Sequence, residues 1–276
     1  MNWWLVYHSE DALRNKEYIR MYFDKCREKG IKLSLVIAEQ FSFLITNDKN
    51  EFFCNGESLP FPDAVINRTR DYVFARQLEL LGVKVYNNSF VTLLGNDKLL
   101  AIEYVKQLGI DVMPTCDGAC VMQEYPYIMK TADGHGGTEV FMINNEREDR
   151  MQREKLGGRK ILLQKPASDL GRDLRVYIVG NRIVAAMLRT SDKDFRSNFC
   201  LGGKAMPYRL SGAETDIVKK ITDSMEIGHC GIDFIFHNNR IVFNELEDVV
   251  GSRMLYGQTD VDVVSLYVDY IYGDIR

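Results

Sequence analysis

The stretch Gln164-Lys-Pro-Ala-Ser-Asp-Leu-Gly-Arg-Asp-Leu-Arg-Val-Tyr-Ile-Val-Gly-Asn-Arg-Ile-Val-Ala-Ala-Met-Leu-Arg189 decides how this chain is read. Two apolar runs, Leu174 to Val179 and Arg182 to Leu188, flank Gly180-Asn181. That pair tolerates the positive φ angles of a two-residue hairpin turn, so the spacing predicts two antiparallel strands. Arg175 interrupts the first run, Asp169, Arg172, Asp173 and Arg189 flank the pair, and Arg196 follows. Arginines on strands are usually solvated. Four of them, Arg172, Arg175, Arg189 and Arg196, converging on carboxylates would instead offset charge that develops on a transferring phosphoryl group.

Downstream, Ser211-Gly-Ala-Glu214 reads as a capping box that opens a helix with Ile217, Val218, Ile221 and Met225 facing inward. A second hairpin follows, Gly231 to Phe236 and Ile241 to Glu247 across Asn238-Asn239. Glu245 and Glu247 are two apart on a strand and share one face. Asp233 lies on the partner strand. A three-residue connection would set Asp233 opposite Glu245. A two-residue turn would set them on opposite faces unless a bulge restores the parity. Three carboxylates brought together repel unless a cation sits among them, and hard oxygen donors suit Mg²⁺ with phosphate oxygens. In a regular strand Asn244 points to the face away from Glu245.

Upstream, Tyr127 to Lys130 and Thr138 to Ile143 read as strands joined by Thr-Ala-Asp-Gly-His-Gly-Gly. Glycines let backbone N–H groups approach an anion, and Lys130 at the strand end reaches the same place. Asp97 caps a helix running to about Leu108. Residues 144–160 form the most polar stretch and read as a solvated helix and loop. The first third alternates strand and helix: residues 3–7, a helix with Ile19, Tyr22, Phe23 and Cys26 on one face, Ile31 to Ile37, Asp63 to Asn67, a helix over 70–81 stopped by Gly82, and Val83 to Tyr86. This βαβ rhythm implies a small sheet covered by helices.

Composition bounds the function. The 276 residues are 46% hydrophobic and 27% charged, with 35 Lys+Arg against 39 Asp+Glu and a net charge of −4. That usage is globular and lacks the basic footprint of a nucleic-acid binder. No run of 18 apolar residues and no basic, apolar leader is present, so neither a membrane span nor a signal peptide is expected. The six cysteines, Cys26, Cys54, Cys116, Cys120, Cys200 and Cys230, form no CxxC pair and read as reduced thiols of a cytoplasmic protein. Cys116 and Cys120 lack a second ligand pair for zinc. His229-Cys230 reads as packing, and Ser252 lacks a nucleophile-elbow context.

In this order the pieces resemble the ATP-grasp superfamily, and within it the RimK-like carboxylate–amine ligases. The resemblance is carried by Gln164 to Arg189, Phe195-Arg-Ser-Asn198, Leu201-Gly-Gly-Lys-Ala205, Gly231-Ile-Asp233 and Phe243-Asn-Glu245, and more weakly by Asn96-Asp-Lys98 and the chain back to about Asp63. It implies an α/β (α+β) ATP-grasp fold with an N-terminal βαβ pre-ATP-grasp domain over 1–92, a central lid sub-domain over 93–165 and a catalytic sub-domain over 166–276. It implies that Lys98 and Lys130 hold nucleotide phosphates under the lid Gly134, Gly136 and Gly137. By the same resemblance Gln164, Lys165 and Pro166 form a hinge at adenine, and Asp173, Arg196, Ser197 and Asn198 lie at the nucleotide. Asp233, Glu245 and Glu247 would be metal ligands, with Arg175, Arg189 and Lys130 as catalytic groups.

The expected activity is ATP-dependent formation of an amide or peptide bond through an acyl phosphate, releasing ADP and phosphate. ATP and one or two Mg²⁺ are the expected cofactors, with Mn²⁺ as an alternative. The substrates are a carboxylate on a small molecule, peptide or protein tail and an amine or amino acid. Homo-oligomerisation is left open. Two other readings stand beside this one: an ATP-grasp phosphotransferase acting on a hydroxyl, and a catalytically silent ATP-binding partner protein. Two departures bear on substrate. The family's usual Glu-x-Asn is Glu245-Leu-Glu247 here, and Asp248-Val-Val-Gly-Ser-Arg-Met-Leu-Tyr replaces the usual Ser-Pro-Gly loop. Ser252 and Arg253 in that loop are candidates for holding an acceptor carboxylate, on the strength of guanidinium geometry.

Overall fold

The computed structural model describes residues 1–120, 124–197 and 203–276. Asn198, Cys200, Leu201 and Gly202 lie outside the described residues. The first unit runs β1 (Asn2–Tyr7), α1 (Ser9–Arg14), α2 (Lys16–Glu28), β2 (Lys32–Ile37), β3 (Phe41–Ile45), β4 (Asn50–Cys54), β5 (Glu57–Leu59), β6 (Ala64–Asn67), α3 (Tyr72–Leu80) and β7 (Lys84–Tyr86). Strands β2-β1-β6-β7 form a parallel sheet in that order, as the βαβ rhythm requires. α2 buries Ile19, Tyr22 and Cys26, and Gly30 follows it at φ 68°. α3 begins at Asp71, whose carboxylate accepts hydrogen bonds from the Val73 and Phe74 N–H groups. The antiparallel meander β3-β4-β5 is an addition that the sequence reading lacks. It packs Phe41 and Phe52 edge-on against Trp4, with centroids 5.6 and 5.1 Å away.

The chain continues through α4 (Ser89–Asn96), α5 (Lys98–Gln107), β8 (Thr115–Asp117), β9 (Tyr127–Thr131), β10 (Val140–Ile143), α6 (Glu146–Leu156) and β11 (Ile161–Gln164). Asp97 caps α5 through Leu100 N–H, as predicted, whereas α4 before it was not foreseen. Strands β10-β9-β11-β8 form an antiparallel sheet. α6 has no buried residue, in keeping with a solvated helix.

The last unit comprises β12 (Asp169–Val179), β13 (Arg182–Thr190), β14 (Lys204–Pro207), α7 (Gly212–Thr222), β15 (His229–His237), β16 (Arg240–Glu247), α8 (Arg253–Gln258) and α9 (Val263–Asp274). Its antiparallel sheet has the order β14-β13-β12-β15-β16. Gly180 and Asn181 sit at φ 54° and 60°, the two positive angles of the predicted turn. The capping box at Ser211 and Glu214 is complete.

Strand alternation gives this sheet two faces. Leu174, Val176, Ile178, Ile232, Phe234 and Phe243 pack on α4, α5 and α7 through Val91, Ile102, Val218 and Ile221. Each such side chain, fully buried, contributes about 1.5–3 kcal/mol. Tyr177 and Val179 face the other way and pack with Tyr22, Leu255, Tyr267 and Ile271 of α2, α8 and α9. Arg175 and Asp233, in phase with Tyr177, therefore open toward the N-terminal unit. Asn87 ties the units together: its Nδ2 donates to the His229 and Asp248 carbonyls at 2.8 and 2.9 Å, and its Oδ1 accepts from Gly228 and His229 N–H. Among the described residues no helix is long and apolar enough to cross a membrane.

Candidate active site

The second hairpin settles the parity question. Asn238 and Asn239 both have positive φ, 51° and 62°, and His237 pairs with Arg240, so the turn has two residues. The register then slips: Phe234 faces Phe243, but Asp233 faces Glu245. Asn244 is the extra residue of a β-bulge, and the bulge puts Asp233, Glu245 and Glu247 on one face. Their ligand oxygens lie within 4.8 Å of one another. The regular-strand expectation for Asn244 is overturned for the same reason. A bulge aims both of its residues to one side, and Asn244 Oδ1 accepts from Lys130 Nζ at 2.7 Å.

Burial alone would raise the Asp233 pKa, but two arginines hold it down to about 2. Arg175 donates to it through Nε and Nη2 at 2.7 and 2.6 Å, and Arg189 Nη2 donates at 2.7 Å. Arg189 also grips Asp173, with Nη2 at 2.9 Å from Oδ2. Burial lifts Asp173, which Arg189 offsets only in part. Arg175 reaches Glu247 at 2.8 Å. Even so, burial and the neighbouring Asp233 and Glu245 charges leave Glu247 raised. Glu245 lies 3.1 Å from Lys98 Nζ and, although burial opposes it, is lowered chiefly by that lysine. Three carboxylates this close are the hard oxygen donors that Mg²⁺ takes, so the donor set fits the ion, which would displace the side-chain cations from the oxygens it binds.

Lys98 and Lys130 are both buried at this edge. Lys98 Nζ donates to the Gly134 carbonyl as well as pairing with Glu245. Burial pushes Lys130 down to about 8, Lys98 adds to the shift and Glu245 opposes it. Gly136 and Gly137 adopt φ 69° and 74°, and Arg196 Nη1 donates to the Gly137 carbonyl at 2.8 Å. Ser197 is buried against Asp173. Gln164 turns its side chain to Thr115 Oγ1 at 3.0 Å. Lys165 N–H is taken by the Pro114 carbonyl at 2.9 Å, and Pro166 comes next in the chain.

Of the four arginines whose convergence the sequence leaves open, two meet on Asp233. Arg172 is one residue out of phase with Asp173 and stacks on Phe236, 3.9 Å from the ring centroid. Arg196 is held by Asp194 at 2.7 Å. Only Arg175 and Arg189 meet on Asp233. Ser252 is buried with its Oγ 3.1 Å from the Tyr18 hydroxyl. Arg253 is exposed and reaches toward the Arg14 carbonyl at 3.5 Å.

These side chains line two cavities. A narrow one of about 100 Å³ is bounded by Lys98, Lys130, Gly134, Gly137, Gln164, Lys165, Asp173, Arg196, Ser197 and Glu245. A wide one of about 1200 Å³ is bounded by Tyr7, Tyr18, Arg68, Arg70, Arg175, Glu247, Ser252 and Arg253. Arg189 lines both. The sequence reading missed Tyr7, Tyr18, Arg68 and Arg70. Tyr7 ends β1 and Arg68 follows β6, so a signal was present: ligands of parallel sheets bind beyond the carboxyl ends of the strands.

A family model described as a RimK-like ATP-grasp domain matches residues 98–271. The chain is 26% identical over 267 residues to a probable alpha-L-glutamate ligase of Maridesulfovibrio salexigens, covering 90% of this chain and 89% of that protein. It is 28% identical over 247 residues to a protein of the same name from Saccharophagus degradans, with 80% of each covered. The ATP-grasp ligase PsnB, solved with a minimal precursor, Mg and ADP, superposes with a TM-score of 0.73 at 14% identity over 99% of this chain and 97% of that one. With the family domain spanning both cavities' shared wall, this chain belongs to the RimK-like ATP-grasp family.

Proposed function

We propose how this ATP-dependent carboxylate–amine ligase divides its work: the narrow cavity takes ATP, the wide cavity takes the acid and the amine, and transfer occurs at the wall they share. Lys98 and Lys130 hold the nucleotide phosphates beneath the 134–137 loop, and Gln164, Lys165 and Pro166 border adenine. Asp173, Arg196 and Ser197 complete that cavity. Asp233, Glu245 and Glu247 hold one or two Mg²⁺, for which Mn²⁺ can substitute. Bound Mg²⁺ supplies positive charge against the phosphate oxygens. Arg175 and Arg189 offset the charge on the phosphoryl group as a substrate carboxylate takes it, and they keep the acyl phosphate at the shared wall for the amine. Ser252 and Arg253 border the acceptor. The loop excludes water, which would otherwise hydrolyse the acyl phosphate.

The observation that carries this reading is Arg189, a buried guanidinium that lines both cavities and bonds both Asp173 and Asp233. A carboxylate entering from one side and a phosphoryl group from the other meet there. Both the glutamate ligases and the peptide-bound PsnB fit an amino acid or a peptide tail as the carboxylate substrate. The test is trapping with hydroxylamine in place of the amine. A hydroxamate together with ADP is expected, and Glu245→Gln should lose both. A stable phosphoester product would show transfer to a hydroxyl instead.

A further inference from the structure

The wide cavity contains a buried cation, Arg68, with no carboxylate at ion-pair distance among the described residues; Tyr7 lies beside it, and Asp248 acts on it from beyond that distance. Arg68 is 6% exposed, so its guanidinium is almost wholly removed from water. Its Nη2 donates to the Val250 carbonyl at 3.1 Å, while its Nε has no hydrogen-bond partner among the described residues. Among the described residues no carboxylate forms an ion pair with it. Its neighbours are aromatic: the guanidinium lies 5.7 Å from the Tyr18 ring centroid. Other arginines of this cavity have carboxylate partners, and Arg253 is exposed to solvent. Arg175 and Arg189 are held by Asp233, and Arg70 lies 3.5 Å from Asp11. A buried cation without a partner is strongly unfavourable, and a guanidinium fork is shaped to take a carboxylate on two parallel N–H groups.

The position fits a substrate group. Arg68 bonds the Val250 backbone, and the Val250 side chain packs over Gly231, whose Cα also faces the Arg175 side chain. Tyr177, two residues beyond Arg175, donates to the Gly251 carbonyl at 2.9 Å. Arg68 is therefore fixed to the loop that borders the reacting wall but is not part of that wall. A carboxylate seated on it is neutralised and kept from the phosphoryl group, which is open to attack only by a carboxylate near Arg175 and Arg189.

Resting on the two-cavity reading above, we infer that Arg68 seats a substrate carboxylate that does not react. Two sources share this chemistry: the α-carboxylate of an amino-acid amine, and the spare carboxylate of a dicarboxylic acid donor. The full chain with ADP and Mg²⁺ is titrated calorimetrically with the twenty L-amino acids, each beside its α-carboxamide, and with succinate and glutarate beside their monoamides. The tightest-binding pair should favour the carboxylate by at least about tenfold. Arg68→Gln should reduce that preference below about threefold. Arg68→Lys keeps the charge and with it the fold, but loses the fork, and should lower the preference measurably. A preference among amino acids identifies the amine, and one among dicarboxylates identifies the acid. Equal binding within every pair, or an unchanged preference in both variants, overturns the inference. ADP affinity separates the two failures: a wild-type chain that binds no ADP sinks the cavity assignment, whereas intact ADP binding with no carboxylate preference sinks only the role of Arg68.

Discussion

In the narrow cavity each buried cation meets an oxygen of the protein: Lys98 meets Glu245 and Gly134, Lys130 meets Asn244, and Arg189 meets Asp173 and Asp233. In the wide cavity Arg68 has one backbone carbonyl and an idle Nε. The difference follows the chain. Every residue bordering the narrow cavity falls within the segment matched by the family domain, whereas Tyr7, Tyr18, Arg68 and Arg70 lie before it. Paired charges are preorganised machinery, ready to exchange a protein partner for a ligand of like sign. On the reading proposed above, the Arg68 charge is what selects a substrate carboxylate. On that reading the nucleotide cavity lies wholly within the matched segment, and the substrate cavity is shared between that segment and the chain before it.

The sharpest way to break this division is Lys130→Met. It removes one charged contact from the narrow cavity and leaves the wide one untouched. The ATP KM should rise about 30- to 100-fold, the worth of a charged hydrogen bond, while the amine KM stays nearly constant. An equal rise in both constants would show that the cavities are not separable. A smaller effect in the opposite direction is expected from Gly95→Ala. A Cβ at Gly95 would meet Asp248 Cβ at 2.8 Å and its backbone N at 2.9 Å, so the loop bordering the wide cavity must shift. The melting temperature should fall by the equivalent of about 1–3 kcal/mol, and the amine KM should rise more than the ATP KM.

The smallest effect concerns the frame that both cavities share. His229 Nδ1–H donates to the Ile178 carbonyl at 2.9 Å, and burial, with Arg68 adding, pushes the imidazole pKa down to about 3. The unfolded chain takes up that proton near pH 6.5, and the folded chain resists it. The stability His229 contributes is therefore complete above about pH 6.5 and is lost as pH falls toward 3, by at most about 1.4 kcal/mol per pH unit. Melting curves from pH 7 to 5 should be flatter for His229→Gln than for the wild type. Identical slopes would show that another group governs the acid limb.

The parts legible in the sequence were those that local chemistry dictates. Gly180-Asn181, the Ser211 capping box and the alternation of Leu174, Val176 and Ile178 each specify their structure within a few residues. So does the pairing of Glu245 with Glu247. The meander β3-β4-β5 was not legible, because its strands of three to five residues are secured by distant Trp4 rather than by their own pattern. α4 was hidden by Gly95-Asn-Asp, which reads as a break and is in fact the joint between two helices. Arg172 was grouped with Arg175 because proximity in sequence ignores strand phase. Tyr7 and Arg68 come from different strands, and only the parallel topology of the first sheet gathers them.

The bulge at Asn244 carries a consequence of its own. Without that residue the ladder would run evenly, Phe234 to Phe243 and Asp233 to Glu245, with every later pair as it is now. Asn244 is therefore surplus to the architecture, and what it does is meet Lys130. A lineage could lose this single codon and keep an intact hairpin, both glutamates still facing the cleft, while surrendering the anchor of one lysine. At this point in the chain heredity can edit chemistry without touching shape.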